Sequence, residues 1–349
     1  MSVAIRGLIE GFYDRVWTWE ERRRVVDFIA PRGFDTFVYA PKTDRLQNTE
    51  WRTPYPADQR AELRAFGERL RGAGMAFWMG LRPVGISYVE PGDATLLVDK
   101  LAAYLDLGAD RLVILADDIP LELDERSATR FESLADAHTW LVELVLARLE
   151  LAPEQVAFVP TEYHGPGSAY LATLGAELPS TVDLCWTGPE VCSHSITRDD
   201  ADGIAKLLQR PPLVWDNSPV NDAGMLGELH IGPIRGRDPT LGEATRGILV
   251  NPALEPEATL IALATWSEYL CYPEEYDADA AWWRALDVVA GEAAADVALL
   301  AAAHDRSPIR QGWVAPAPAR LAEAVESIRA MSNRRLAADL APFLEAPAR

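Results

Sequence analysis

Apolar residues fall in short, dense runs along this chain, and the runs recur at intervals of roughly 25–45 residues. They read AIRGLIEG (4–11), DTFVYAP (35–41), MAFWMGL (75–81), RLVILADD (111–118), QVAFVPTEY (155–163), VDLCWTG (182–188), PPLVWDN (211–217) and GILVNP (247–252). None alternates cleanly between polar and apolar positions, so none reads as a strand with one wet face. Such runs suit parallel strands buried on both faces. Between most of them the pattern changes to a helical period. TWEERRRVVDFIAPRG opens on Thr18 with Glu21 three residues on, the spacing of a capping box, and stops at Pro31 and Gly33. ADQRAELRAFGERLRGAG sets Leu63, Phe66 and Leu70 on one face and ends at Gly72. DATLLVDKLAAYLDLGAD, LADAHTWLVELVLARLEL, DDADGIAKLLQR and PEATLIALATWSEYL repeat the scheme.

Eight such strands with crossover helices close most naturally into an α/β (β/α)8 barrel, expected over residues 1–275. An open doubly wound sheet is the rival, but it normally carries a Gly-rich phosphate turn after the first strand. Here that turn is Gly-Phe-Tyr-Asp. From residue 276 the texture becomes Ala-rich and helical, broken once at VAPAPAR. The expectation is a helical appendage, 276–349, packed on the barrel. Its outer face is a candidate homodimer surface, although amphipathic helices more often pack within their own chain.

Composition narrows the partners. A formal net charge of -20 repels phosphate backbones and anionic lipid, which argues against nucleic acid and membrane surfaces. No apolar run approaches the ~18 residues of a spanning helix. The opening MSVAIRGLIEGFYD lacks the basic and then apolar layout of a signal peptide, so a cytoplasmic protein is expected. Cys185, Cys192 and Cys271 form no framework and read as reduced thiols. His138, His164, His194, His230 and His304 show no ligand spacing, and neither metal nor cofactor is expected.

In a barrel of this kind chemistry gathers where strands end. The predicted ends carry Glu10-Gly11-Phe12-Tyr13, Pro41-Lys42-Thr43-Asp44, Arg82, Asp117-Asp118, Thr161-Glu162-Tyr163-His164, Trp186-Thr187-Gly188, Trp215-Asp216-Asn217 with Asn221-Asp222, and Asn251-Pro252. Taken singly these have plainer readings. Asp118 could cap a helix, Lys42 lie on the surface, Trp215 belong to the core and Asn251 begin a turn. Together, at one end of one barrel, they make a ring of carboxylates, amides and aromatics with few basic groups, which is the character of a carbohydrate site.

The pair Asp117-Asp118 sharpens this. Two neighbouring carboxylates resist joint ionisation, so one should hold a proton and serve as an acid. The usual retaining glycosidase needs its carboxyl groups about 5–5.5 Å apart on opposite sides of the bond. Adjacent residues are ill placed for that. The alternative is substrate-assisted catalysis, in which a 2-acetamido sugar supplies the nucleophile. The geometry narrows the mechanism without fixing the sugar.

The segments RGLIEGFYDRVWT, YAPKTD, WRTPYP, LADDI, PTEYHG, WTGPEVCS, VWDNSPVND, GPIRGR and GILVNP, in this order, resemble glycoside hydrolase family 84, the O-GlcNAcases and bacterial β-N-acetylglucosaminidases. The resemblance covers roughly residues 5–266 and leaves out the appendage. It implies a (β/α)8 barrel that cleaves terminal β-linked N-acetylglucosamine from a glycan or glycoconjugate, with retention and without metal. On this chain it implies that Asp117 orients the acetamido group and that Asp118 is general acid and then base. Tyr163 would bond near the anomeric region, and Gly11 would offer its backbone to a sugar hydroxyl. Lys42, Asp222 and Asn251 would bond ring hydroxyls. Trp215 would wall the acetamido pocket, Thr187 would line it, and Asn217 would hold a catalytic carboxylate or the sugar. Asp14 stands where the family commonly has Gly, Thr43 where Asp is common, and Arg45-Leu46-Gln47-Asn48 departs from the usual segment. A non-hydrolytic sugar-binding protein, or a barrel enzyme on a different N-acetylated aminosugar, are the other readings.

Overall fold

A computed structural model describes residues 3–306, 309 and 311–345; the end of the expected appendage, 346–349, lies outside the described residues. Eight strands form a closed barrel in chain order. They are β1 (Arg6–Glu10), β2 (Thr36–Tyr39), β3 (Ala76–Leu81), β4 (Arg111–Leu115), β5 (Val156–Val159), β6 (Asp183–Trp186), β7 (Leu213–Asp216) and β8 (Gly247–Val250). Every neighbouring pair is parallel, and β8 closes on β1 through Gly7 and Leu249. The expected (β/α)8 barrel is the observed one. Each apolar run contains its strand, and the run extends past it wherever polar residues leave the ladder at the C-terminal end.

Helices α1 (Trp19–Ile29), α2 (Ala57–Gly72), α3 (Pro91–Asp106), α4 (Leu134–Leu149), α5 (Ala169–Glu177) and α6 (Arg198–Leu208) occupy the first six crossovers, and α7 (Thr259–Cys271) follows β8. α1 starts as its sequence predicts: Glu21 N donates to Thr18 Oγ1 and Thr18 N donates to Glu21 Oε2. Such a cap contributes about 1 kcal/mol. The short helix α5 carries little amphipathic signal, and the apolar pattern does not predict it. Between β7 and β8 there is no α-helix, only the 3-10 turns Ala223–Met225 and Leu241–Glu243. That long connection is held by Arg237, whose guanidinium donates to both oxygens of buried Asp216 at 2.7 and 2.8 Å. Beyond the barrel come α8 (Ala278–Ala290), α9 (Ala294–Ala303), α10 (Pro318–Ala330) and α11 (Arg334–Glu345). Their buried side chains, among them Trp282, Leu286, Val297 and Leu340, join one apolar cluster with the outer layer of the barrel. Asp339 on α11 accepts from the N–H groups of Glu257 and Ala258, just before α7. No helix among the described residues is long and apolar enough to cross a membrane.

A second, smaller cluster fills the barrel itself: Ile9, Val38, Ala40, Trp78, Val113, Leu115, Ala157, Val159, Cys185, Leu213, Trp215 and Leu249. These are alternate residues of their strands, so they mark the inward face. That alternation sets up the site.

Candidate active site

Two residues beyond the last inward position of six of the strands, the same face of the chain still points to the barrel axis. Ile9 leads to Gly11, Ala40 to Lys42, Leu115 to Asp117, Cys185 to Thr187, Trp215 to Asn217 and Leu249 to Asn251. Val159 leads through Thr161 to Tyr163. Asp222 comes from the β7–β8 connection. These residues, with Trp215 and Asp118, line a single cavity of about 260 Å³ at the C-terminal mouth. All ten residues singled out in the sequence therefore meet in one place.

Asp118 is out of step with this alternation. It reaches the cavity because its backbone turns left-handed, with φ of 54°. A non-glycine residue there is strained. Arg82, from the end of β3, pins the turn by donating to the Asp117 carbonyl at 3.1 Å and the Asp118 carbonyl at 2.8 Å. Thr161 Oγ1 donates to the Ala116 carbonyl at 2.7 Å. The left-handed step at Asp118 is what lets two consecutive side chains enter one pocket.

The two carboxylates have different surroundings. Asp117 is buried and paired with the ammonium of Lys42, which itself lies 5.3 Å from the centre of the Trp215 ring. The other oxygen of Asp117, Oδ1, is buried with no hydrogen-bond partner among the described residues. Asp118 accepts from two phenols, Tyr163 at 2.9 Å on Oδ1 and Tyr13 at 2.5 Å on Oδ2. Burial pushes the Asp118 carboxyl up, but the Tyr13 hydroxyl, the Lys42 charge, the Tyr163 hydroxyl and Arg82 together hold it below its ordinary value. These donors favour the ionised form of Asp118, whereas proximity of the two carboxylates alone would favour a proton on one of them.

The other residues of the site have protein partners of their own. The Gly11 N–H donates to Asn251 Oδ1 at 3.3 Å, and a Cβ on Gly11 would stand 2.3 Å from the Trp215 ring. Glycine is needed there by the indole, not only by a ligand. Asn217 bonds neither carboxylate. Its Oδ1 accepts from Trp215 Nε1 and Asn251 Nδ2, both at 2.9 Å, and its Nδ2 donates to the Val191 carbonyl. It thus orients the indole and the second amide. Lys42 is paired with Asp117. Thr187 Oγ1 donates to the Glu190 carbonyl at 2.9 Å. Asp222 Oδ2 accepts from Tyr13 N at 2.7 Å, and burial raises its carboxyl, reinforced by the charge of Asp14. The thiol of Cys192 on the wall is pushed up to about 11 by burial, so it is neutral and a poor nucleophile.

Sequence reasoning did not single out Tyr13 or Arg82 for a role. Both stood at strand ends, but nothing local says that a phenol from β1 will cross the mouth to a carboxylate after β4. Val191, Val220 and Met225 supply the apolar part of the lining and were likewise unmarked.

A closed parallel barrel with paired carboxylates, amides and an indole at its C-terminal mouth has the build of a barrel glycoside hydrolase. A sequence model of the beta-N-acetylglucosaminidase family matches residues 6–302. The chain belongs to that family, glycoside hydrolase family 84, and the match runs on through α8 into α9. It is 31% identical to the Protein O-GlcNAcase of Rattus norvegicus and to that of Mus musculus over 271 residues, 74% of this chain. It spans only 29% of the length of those relatives. Among solved structures, a mutant of the Thermobaculum terrenum O-GlcNAc hydrolase superposes with a TM-score of 0.85 at 33% identity, covering 97% of this chain and 74% of that one. CpGH84B superposes with a TM-score of 0.85 at 21% identity, covering 98% of this chain and 66% of that one, a likeness of fold.

Proposed function

We propose that this chain is a retaining exo-β-N-acetylglucosaminidase that removes terminal β-linked N-acetylglucosamine through an oxazoline formed by the sugar's own acetamido group. Residues 1–275 form the catalytic barrel in this reading, residues 276–349 an appendage, and the substrate is a glycan or glycoconjugate. One observation carries it: Asp117 Oδ1 is a buried carboxyl oxygen with no donor among the described residues. Leaving such a group unsatisfied costs about 1–3 kcal/mol or more. An amide N–H entering beside the Trp215 wall would satisfy it, and holding that N–H aims the acetamido carbonyl at C1.

The acetamido oxygen attacks C1 as the glycosidic C1–O bond breaks, and the departing oxygen takes a proton from Asp118. Asp117 stabilises the positive charge that develops on the amide nitrogen. Water then bonds to C1, the bond from C1 to the acetamido oxygen breaks, and Asp118 takes the proton. Two inversions give net retention. With both phenols donating to it, Asp118 is the carboxylate, the form needed in the second step. A glycosidic oxygen that displaces the phenols removes the donors favouring ionisation and readies Asp118 for the first step. Trp215 and Thr187 border the acetamido group, Tyr163 sits by the anomeric centre, and Lys42, Asp222 and Asn251 meet ring hydroxyls. Gly11 and Asn217 keep the indole and Asn251 in register.

Hydrolysis of an aryl β-N-acetylglucosaminide, followed by proton NMR of the first-formed sugar, tests this. The β-anomer should appear first, and rates should fall steeply as the acetyl group is fluorinated. An α-anomer, or an equal rate on the plain β-glucoside, would overturn the mechanism. Calorimetric binding without turnover would mark a sugar-binding protein instead.

A further inference from the structure

The loop after β1 and the loop after β7 exchange a pair of hydrogen bonds across the mouth, over the end of the intervening β8. Tyr13 N donates to Asp222 Oδ2 at 2.7 Å, and Ala223 N donates to Asp14 Oδ2 at 2.8 Å. Each loop's carboxylate accepts the amide of the other loop, through consecutive residues on both sides. Both ends are strained: Asp14 has φ of 68° and Ala223 φ of 50°. Strain of this kind persists only where surrounding structure over-determines it. Asp tolerates the left-handed region better than most residues, and its side chain makes a bond that a glycine, the residue best suited to that backbone, would have no atom to make.

We propose that Asp14 is a positioning residue for the sugar site: its carboxylate latches the Asp222–Met225 wall to the β1 loop and so fixes both Asp222 and Tyr13. The latch acts on two groups at once. Asp222 and the segment Ala223–Met225 border the cavity. Tyr13 is held by its amide at Asp222 while its hydroxyl reaches Asp118. Losing the Asp14 bond frees the wall directly and loosens the phenol on the carboxylate indirectly. The functional half of this inference rests on the proposed glycosidase reading; the latch itself does not.

Two variants separate the roles. Asp14→Gly removes the acceptor and relieves the backbone, so folding is preserved. Asp14→Asn keeps an acceptor and removes the charge. On an aryl β-N-acetylglucosaminide, Asp14→Gly should raise KM by roughly two- to tenfold with kcat within about threefold, and Asp14→Asn should restore most of the loss. Amide hydrogen exchange over 222–226 should quicken in Asp14→Gly and stay near the parent rate in Asp14→Asn. Unchanged exchange in Asp14→Gly overturns the latch. Quickened exchange with unchanged KM, or an Asn variant as impaired as the Gly variant, overturns the positioning role. If the parent protein hydrolyses no such glycoside, the glycosidase reading fails, and the exchange comparison still decides the latch.

Discussion

The two ends of the barrel treat charge that faces its axis in opposite ways. At the N-terminal end, Asp183 opens β6 and is closed on by two guanidinium groups, Arg111 at 2.6 Å and Arg246 at 2.9 Å. Arg111 lies over the Trp78 ring, 4.5 Å from its centre. At the C-terminal end, Asp117 has one lysine and a free oxygen, and Asp118 has two neutral phenols. Between the two ends lies the apolar plug of inward side chains. The same parity of the same strands builds both layers. Where each carboxylate oxygen faces a guanidinium charge the layer serves stability; where one faces no cation the layer is available to a ligand. Stability and reactivity are thus separated along one axis.

Breaking each end should give a different phenotype. The largest effect belongs to Asp118→Ala, which removes the proposed acid and base. Its kcat/KM should fall by roughly 10²–10⁴-fold for a poor leaving group and far less for an activated aryl group, with the melting temperature nearly unchanged. Equal losses on both substrates would contradict the acid role. Next comes Asp183→Ala at the opposite end. It strands buried Arg111 and should cost about 3–5 kcal/mol of stability, read by chemical denaturation, while the folded fraction keeps its KM. A loss below ~1 kcal/mol would mean that this end is no clamp.

The smallest effect, taken per pH unit, lies in the support between strands and helices. His138 is fully buried between the hydroxyls of Tyr88 and Tyr170, each 2.8 Å from a ring nitrogen, and Tyr170 in turn accepts from Thr161 N. Burial pulls the imidazole down to about 3. The unfolded chain therefore binds a proton there, below its own pKa of about 6.5, when the native state does not. This contribution is fully present above pH ~6.5 and falls by roughly 1.4 kcal/mol per pH unit toward pH ~3. Denaturation midpoints at several pH values should show that slope, and His138→Gln should flatten it.

Much of this was legible one residue at a time. The eight runs locate the strands because a parallel strand buried on both faces has little choice but to be apolar. Thr18 and Glu21 announced α1 because a cap is made from residues three apart. The polar residues just past each run marked the site, since the inward alternation continues beyond the last ladder bond. Other features depended on partners distant in the chain. That Asp118 would be ionised depends on Tyr13 and Tyr163, which lie 105 and 45 residues away. That Asn217 would serve Trp215 and Asn251 rather than a carboxylate is decided across β7 and β8.

The sequence alone determined the barrel and the end of it that carries chemistry, because these follow from periodicity and from short-range covalent spacing, while the choice of ten residues among those at the strand ends rested on the family resemblance. Only the tertiary structure decided which donor meets which carboxylate, and hence which oxygen of Asp117 stays free and how the loops latch over the mouth. Those outcomes depend on ångström-scale distances between loops far apart in the chain, and hydrogen bonds and charge pairing change sharply over such distances.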